Sequence, residues 1–275
     1  MRPVVFFALV VGAAVAILFT VFPQWDLAIS ERFWDVGRRA FTLAGAPWAK
    51  SARTLANWIP WLFAAPAFVA IVLKLLFPWG RMFMSARAAV FLAATMALGP
   101  GLVVNGILKE EWGRPRPVHV EAFGGKDVYQ PWFRTDGACP GNCSFVSGEG
   151  ALGFWLTAPA SLVPGVAGAV AMVAAIAFAA TAGGLRIAFG GHFFTDVVFS
   201  GVIVVLIVVG MRLLLYDRKG APTDFRVEHA IGRLGYGLHA LVRGVARAVA
   251  KYARSAFAAL RGLIGRHLPG RGAGL

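Results

Sequence analysis

Residues 4–22 run from Val4 to Phe22 without one charged side chain, and that run constrains the fold more than any other feature. Crossing a hydrocarbon layer of roughly 30 Å takes about 20 apolar residues as a helix. Further apolar stretches lie at 55–77, 88–108, 149–163, 166–185 and 197–215, each bounded by Gly, Pro or charged residues. Inside a bilayer every backbone polar group needs an internal partner, which leaves helices as the spanning form for segments of this length. The expected fold is all-α, a polytopic membrane protein of six transmembrane helices. Composition excludes a soluble domain: 58% of residues are hydrophobic, 15% are charged and the mean hydropathy is +0.69. The fourth stretch is the shortest and holds Pro159, which neighbouring helices accommodate by satisfying the freed carbonyl.

The first stretch follows Met1-Arg2-Pro3, exceeds a typical signal-peptide core and precedes no small-x-small cleavage site, so it reads as an uncleaved helix entering from the cytoplasm. Six spans then return the chain inside, with both termini cytoplasmic. The net charge of +14 fits this arrangement through Lys74, Arg81 and Arg87 at the second connection and through the basic tail. The first loop runs against the rule, with Arg32, Arg38, Arg39, Lys50 and Arg53. We expect a membrane domain over 1–216 and a basic cytoplasmic tail over 217–275. Within the tail, about 226–266 interleaves basic and apolar residues (Arg243, Arg247, Lys251, Arg254) as an amphipathic helix lying on anionic inner-leaflet lipids would. No recognition motif accompanies the charge, so nucleic acid is not an expected partner. The oligomeric state is not legible.

Ionisable residues at the ends of membrane helices are costly, so their clusters mark candidate sites. Three occur: Lys109 to Pro117 after the third span, Ser144 to Gly150 before the fourth, and Arg186 to Asp196 between the fifth and sixth. Helix count delivers all three to the outer, periplasmic face, at the ends of helices 3 to 6. Lys109, Arg116 and Arg186 supply cations for a phosphate dianion, the arginines in bidentate fashion. Ser147 and Gly148 open a helix whose free N–H groups favour an anion.

His192 and Asp196 are four residues apart and share a face if a helix begins there. Asp196 is then expected to hold one ring nitrogen and leave the other free to attack phosphorus. Singly, each of these residues has a structural account as a snorkelling cation or a packed histidine. The joint pattern has none of comparable reach.

At these residues the chain resembles the type 2 phosphatidic acid phosphatase superfamily over roughly residues 20–215. The first family motif, Lys-x6-Arg-Pro, is present as Lys109, Arg116 and Pro117. The third, Ser-Arg-x5-His-x3-Asp, appears with Leu185 for Ser, then Arg186, His192 and Asp196. The middle motif, Pro-Ser-Gly-His, keeps Ser147 and Gly148 but has Val146 for Pro and Glu149 for His. The resemblance implies a metal-independent enzyme without cofactor, in which His192 forms a phosphohistidine and Glu149 inherits the histidine's duty as general acid and base. His119, two residues past Pro117, is an auxiliary candidate. Cys139 and Cys143 form a disulfide if their segment faces an oxidising compartment, and the loop 118–146 is expected to cover the pocket.

A carboxyl beside three cations is a weak proton donor, which favours leaving groups that need little help. The expected substrate is a phosphorylated membrane lipid, foremost lipid A at its 1- or 4'-position, then undecaprenyl diphosphate or phosphatidylglycerol phosphate. The runner-up readings are a lipid phosphotransferase and an inactive lipid-binding relative.

Overall fold

The computed structural model of the chain describes residues 2–267 and is almost wholly helical. The last eight residues of the basic tail lie outside the described residues. Helix α1 (Arg2–Val21) is followed by a short α2 (Gln24–Glu31) and a two-stranded ribbon, β1 (Trp34–Asp35) antiparallel to β2 (Ala40–Phe41). Next come α3 (Pro47–Leu76), α4 (Ala86–Glu111), α5 (Gly148–Trp155), α6 (Thr157–Leu162), α7 (Gly165–Ala188), α8 (Phe194–Asp217) and α9 (Asp224–His267).

Five of these, α1, α3, α4, α7 and α8, are long and apolar enough to cross a membrane. The expected fourth span is instead a broken pair. Gly148–Leu162 extends about 22 Å at 1.5 Å per residue, short of a hydrocarbon layer, and interruption by Leu156 separates α5 from α6. The pair still runs from one end of the bundle toward the other, because Arg212 near the end of α8 donates to the Ser161 carbonyl.

Pro47 at the first turn of α3 suits a position whose N–H is unpaired in any case. Pro60 and Pro66 lie inside α3 without ending it. In α4 the residues Ala97–Leu108 widen into a π-helix around Pro100, and Asn105 Nδ2 donates to the Pro100 carbonyl at 2.7 Å. The core gathers Phe91, Leu92, Val104, Val146, Trp155 and Val204, all buried, and Trp155 Nε1 donates to Thr95 Oγ1 at 2.9 Å. Large apolar side chains stay exposed along α1, α3 and α7, among them Phe7, Ile17, Leu62, Val72, Val166 and Val173. Apolar exposure on that scale belongs against lipid.

A second, smaller core of Phe41, Val120, Phe123 and Phe193, with Trp34 and Tyr129 against it, binds the ribbon to the loop after α4 at one end of the bundle. The opposite end is closed by α9. Glu228 Oε1 accepts from Lys74 Nζ and from the Met82 N–H, each at 3.0 Å, and Asp224 Oδ1 accepts from the Arg87 N–H at 2.9 Å. Past His239, whose Nε2 lies 2.8 Å from the Leu76 carbonyl, α9 leaves the bundle and the side chains of residues 242–261 are exposed. At about 100° per residue, Arg233, Arg243, Arg247, Lys251, Arg254 and Arg261 fall on one side of α9. Leu234, Leu238, Leu241, Val245, Val249 and Tyr252 fall on the other.

Candidate active site

Backbone hydrogen bonds join the three polar clusters. The Ser144 N–H donates to the Arg114 carbonyl at 2.8 Å, the Cys143 N–H to Lys109 at 2.9 Å, and the Ser147 N–H to Asp196 at 3.0 Å. The clusters therefore meet at one end of the bundle, where the end of α4, the start of α5 and the α7–α8 turn adjoin. The turn needs its glycines. Gly190 has φ +67°, and a Cβ on Gly191 would stand 2.1 Å from Arg186 Nη2, so any side chain there would displace the arginine.

His192 is buried, 1% exposed. Its Nδ1 lies 2.7 Å from the Ser144 carbonyl oxygen, an acceptor only, so Nδ1 carries the proton and Nε2 keeps its lone pair. Burial lowers the imidazole pKa to about 4, the Arg186 and Lys109 charges adding to the effect and Asp196 opposing it. The ring is neutral at neutral pH.

The expected role of Asp196 needs correction. Its Oδ2 stands 3.8 Å from His192 Nδ1, beyond hydrogen-bond reach. Helix α8 begins at Phe194, so His192 precedes the helix, and Asp196 folds back to cap it by accepting from the Phe193 N–H at 2.8 Å. Asp196 also accepts from Ser144 Oγ and from Arg114 Nη1, both at 2.5 Å. Arg114 in turn donates to Asp26 Oδ2 at 2.8 Å, and Thr195 Oγ1 completes the knot on Asp26 at 2.5 Å. Asp196 thus orients His192 at one remove, through the Ser144 segment that it anchors.

Beside His192 opens a cavity of about 680 Å³ whose wall includes Lys50, Arg53, Arg116, His119, Arg186 and Gly191. Asn142, in the left-handed region at φ 49°, meets the cations there. Its Oδ1 lies 2.8 Å from Arg116 Nη2 and 3.2 Å from Lys109 Nζ. Cys139 and Cys143, bonded to each other, hold that loop. Ser147 caps α5 through its hydroxyl, which accepts from the Gly150 N–H at 3.1 Å, so an anion at this helix start meets backbone N–H groups rather than the serine side chain.

Glu149 does not stand free as a proton donor. Both its oxygens accept from Arg53 Nε, at 2.8 and 3.0 Å, Arg53 Nη2 is 2.6 Å from Oε1, and Arg186 Nε lies 3.4 Å away. That Arg186 Nε is buried without a hydrogen-bond partner among the described residues.

Two comparisons bear on this geometry. Residues 88–219 match the PAP2 superfamily. A lipid A 4'-phosphatase of Francisella tularensis subsp. novicida is 34% identical over 213 residues, covering 74% of this chain and 91% of the relative.

The chain belongs to the PAP2 superfamily.

Two further lipid A 4'-phosphatases are similar to this PAP2 protein. That of Rhizobium leguminosarum is 33% identical, covering 75% of this chain and 93% of the relative, and that of Rhizobium etli is 36% identical, covering 75% and 84%. No solved structure matches the chain. The PAP2 protein is a membrane-embedded phosphatase of the phosphoric monoester hydrolase class.

Of the residues expected in the PAP2 site, Lys109, Arg116, His119, Glu149, Arg186, His192 and Asp196 do converge. Four contributors escaped sequence reasoning. Asp26 reads as the polar end of the first span, Arg114 is overshadowed by the motif arginine two residues on, and Ser144 acts through its carbonyl. Arg53 reads only as an exception to the positive-inside rule; that exception was its one signal.

Proposed function

We propose that the chain hydrolyses the 4'-phosphate of lipid A through a phosphohistidine on His192. The observation that carries the reading is the buried, neutral His192, its Nδ1 held by the Ser144 carbonyl, beside a cavity walled by arginines. The names of the three relatives supply the substrate and its position. A 4'-oxygen belongs to a ring alcohol and not to an anomeric centre, so it departs poorly as an alkoxide and a proton donor is required.

In the first step the Nε2 lone pair bonds to phosphorus and the bond from phosphorus to the 4'-oxygen breaks. Protonated His119, on the cavity wall, gives its proton to that oxygen. In the second step neutral His119 takes a proton from water as the water oxygen attacks phosphorus, the N–P bond returns its electrons to Nε2, and inorganic phosphate leaves. Lys109, Arg116, Arg186 and the first N–H groups of α5 hold the transferred group and offset its charge. These cations support turnover without a metal ion.

We further propose that α5–α6 makes a sixth pass, that the site faces the periplasm of the bacterial inner membrane, and that both termini and α9 are cytoplasmic. The grouping of Lys74, Arg81, Arg87 and the start of α9 at the end opposite His192 supports this orientation.

The test is purified protein with lipid A in detergent and chelator, followed by phosphate assay and mass spectrometry of the lipid. Loss of the 4'-phosphate, abolished by His192→Ala, is the expected result. No phosphate release from lipid A, or release unaffected by His192→Ala, would overturn the proposal.

A further inference from the structure

We infer that Arg53 is a fourth cation of the phosphate site, supplied by α3 from outside all three motifs, and that Glu149 is the positioning residue that holds it there. The inference rests on the phosphatase reading above and adds a binding residue to it.

Arg53 lies in the second turn of α3, and its side chain reaches α5 across 96 residues of sequence to grip Glu149. The grip uses Nε and Nη2. Nη1 makes no hydrogen bond among the described residues, and the guanidinium has five donors in all, so Arg53 keeps donors to spare while it lines the same cavity as Arg116 and Arg186.

Proximity to those arginines is also visible electrostatically. The pKa of Arg116 is pushed down by burial first and by the Arg53 charge second, so the two guanidiniums repel across the cavity. Lys50, Arg53, Arg116 and Arg186 line the cavity with one carboxylate, Asp127, and Glu149 pairs with Arg53 and Arg186, so the wall keeps a net positive charge that a multiply charged anion relieves.

Residue 149 explains how Arg53 comes to be there. The resembled family has a histidine at this position, which cannot hold a guanidinium by charge. A carboxylate can, through two parallel N–H···O bonds. The change exchanges a proton donor for one more phosphate-binding cation. Arg53 also borders a second cavity of about 450 Å³ lined by Thr54, Asn57, Trp58, Trp61 and Leu152. It thus stands at the junction of the anion cavity and an aromatic-walled one on the lipid-facing helix α3, where a phosphate on a large polar head group would sit.

The full-length protein tests this with lipid A as substrate and inorganic phosphate as competing product. Arg53→Ala should raise KM and the phosphate inhibition constant about tenfold, the size of one lost charge-assisted contact, with a smaller fall in kcat. Arg53→Lys should recover part of the loss. Glu149→Gln should reproduce the Arg53→Ala shift, Glu149→Asp should retain most binding, and the Arg53→Ala, Glu149→Gln double variant should be no worse than either single. Arg38→Ala, at an exposed charge that does not line the cavity, controls for general attraction.

Unchanged KM and phosphate inhibition in Arg53→Ala would overturn the assignment of Arg53, and additive effects of the two substitutions would overturn that of Glu149. Protection of the protein from thermal unfolding by inorganic phosphate separates this inference from the phosphatase reading. If no lipid is hydrolysed, loss of that protection in Arg53→Ala still supports a phosphate-binding Arg53, and its persistence overturns it.

Discussion

Arg114 Nη1 lies 2.5 Å from Asp196 Oδ1, and both side chains are shut off from solvent. Two charges buried this deeply are tolerable only as a satisfied network, and Asp26, Thr195, Ser144 and the Phe193 N–H complete it. The network ties α2, the segment after α4 and the start of α8 into one frame beside His192.

Removing Arg114 leaves two buried carboxylates unpaired. Arg114→Ala should destabilise the protein by roughly 3–5 kcal/mol, read as a lowered unfolding midpoint in detergent. Arg116→Ala, on a half-buried cavity residue, should cost far less stability and mainly raise KM.

The neutral state of His192 gives two pH effects of known sign. Turnover should fall as pH drops through about 4, because protonation removes the attacking lone pair, and kcat/KM should show no acid limb near the ordinary imidazole value of about 6.5. Between these values the unfolded chain binds more protons than the folded one. Stability from this group is therefore full above about 6.5 and is lost as pH falls toward 4. His192→Asn should flatten that part of the stability profile, measured by thermal unfolding at a series of pH values.

His119 and Glu149 make opposite demands on kinetics. His119→Ala should lower kcat by about 10²-fold or more, since it takes away the proton donor. Glu149→Gln should lower kcat far less and mainly raise KM. A large fall in kcat in Glu149→Gln with little change in His119→Ala would return the acid role to Glu149.

Helix α9 should lie on the inner leaflet, basic side outward. Hydrogen exchange of residues 240–261 in nanodiscs should slow when anionic lipid replaces zwitterionic lipid, and the protection should weaken in high salt. Equal exchange in both lipids would mean that the exposed apolar side of α9 meets something else.

The sites of the long helices follow from runs of apolar residues, a local property, and so Val4–Phe22 and the stretches leading into α3, α4, α7 and α8 were legible with only their ends misplaced. Lys109, Arg116, Arg186 and His192 were legible through spacing. The broken α5–α6 pair was less so, because Gly148–Leu162 is as apolar as a span and only its length and the break at Leu156 set it apart.

What the sequence determined by itself is that this chain carries helices long and apolar enough for a membrane and sets three polar clusters at helix ends, since apolar runs and short spacings are local properties. Tertiary structure alone decided the partners. The Ser144 carbonyl rather than Asp196 accepts the hydrogen bond from His192 Nδ1, Arg114 turns inward while Arg116 faces the cavity, and Arg53 reaches Glu149 across 96 residues. Each of these depends on where helices distant in sequence come to rest against one another, and no local pattern of residues carries that distance.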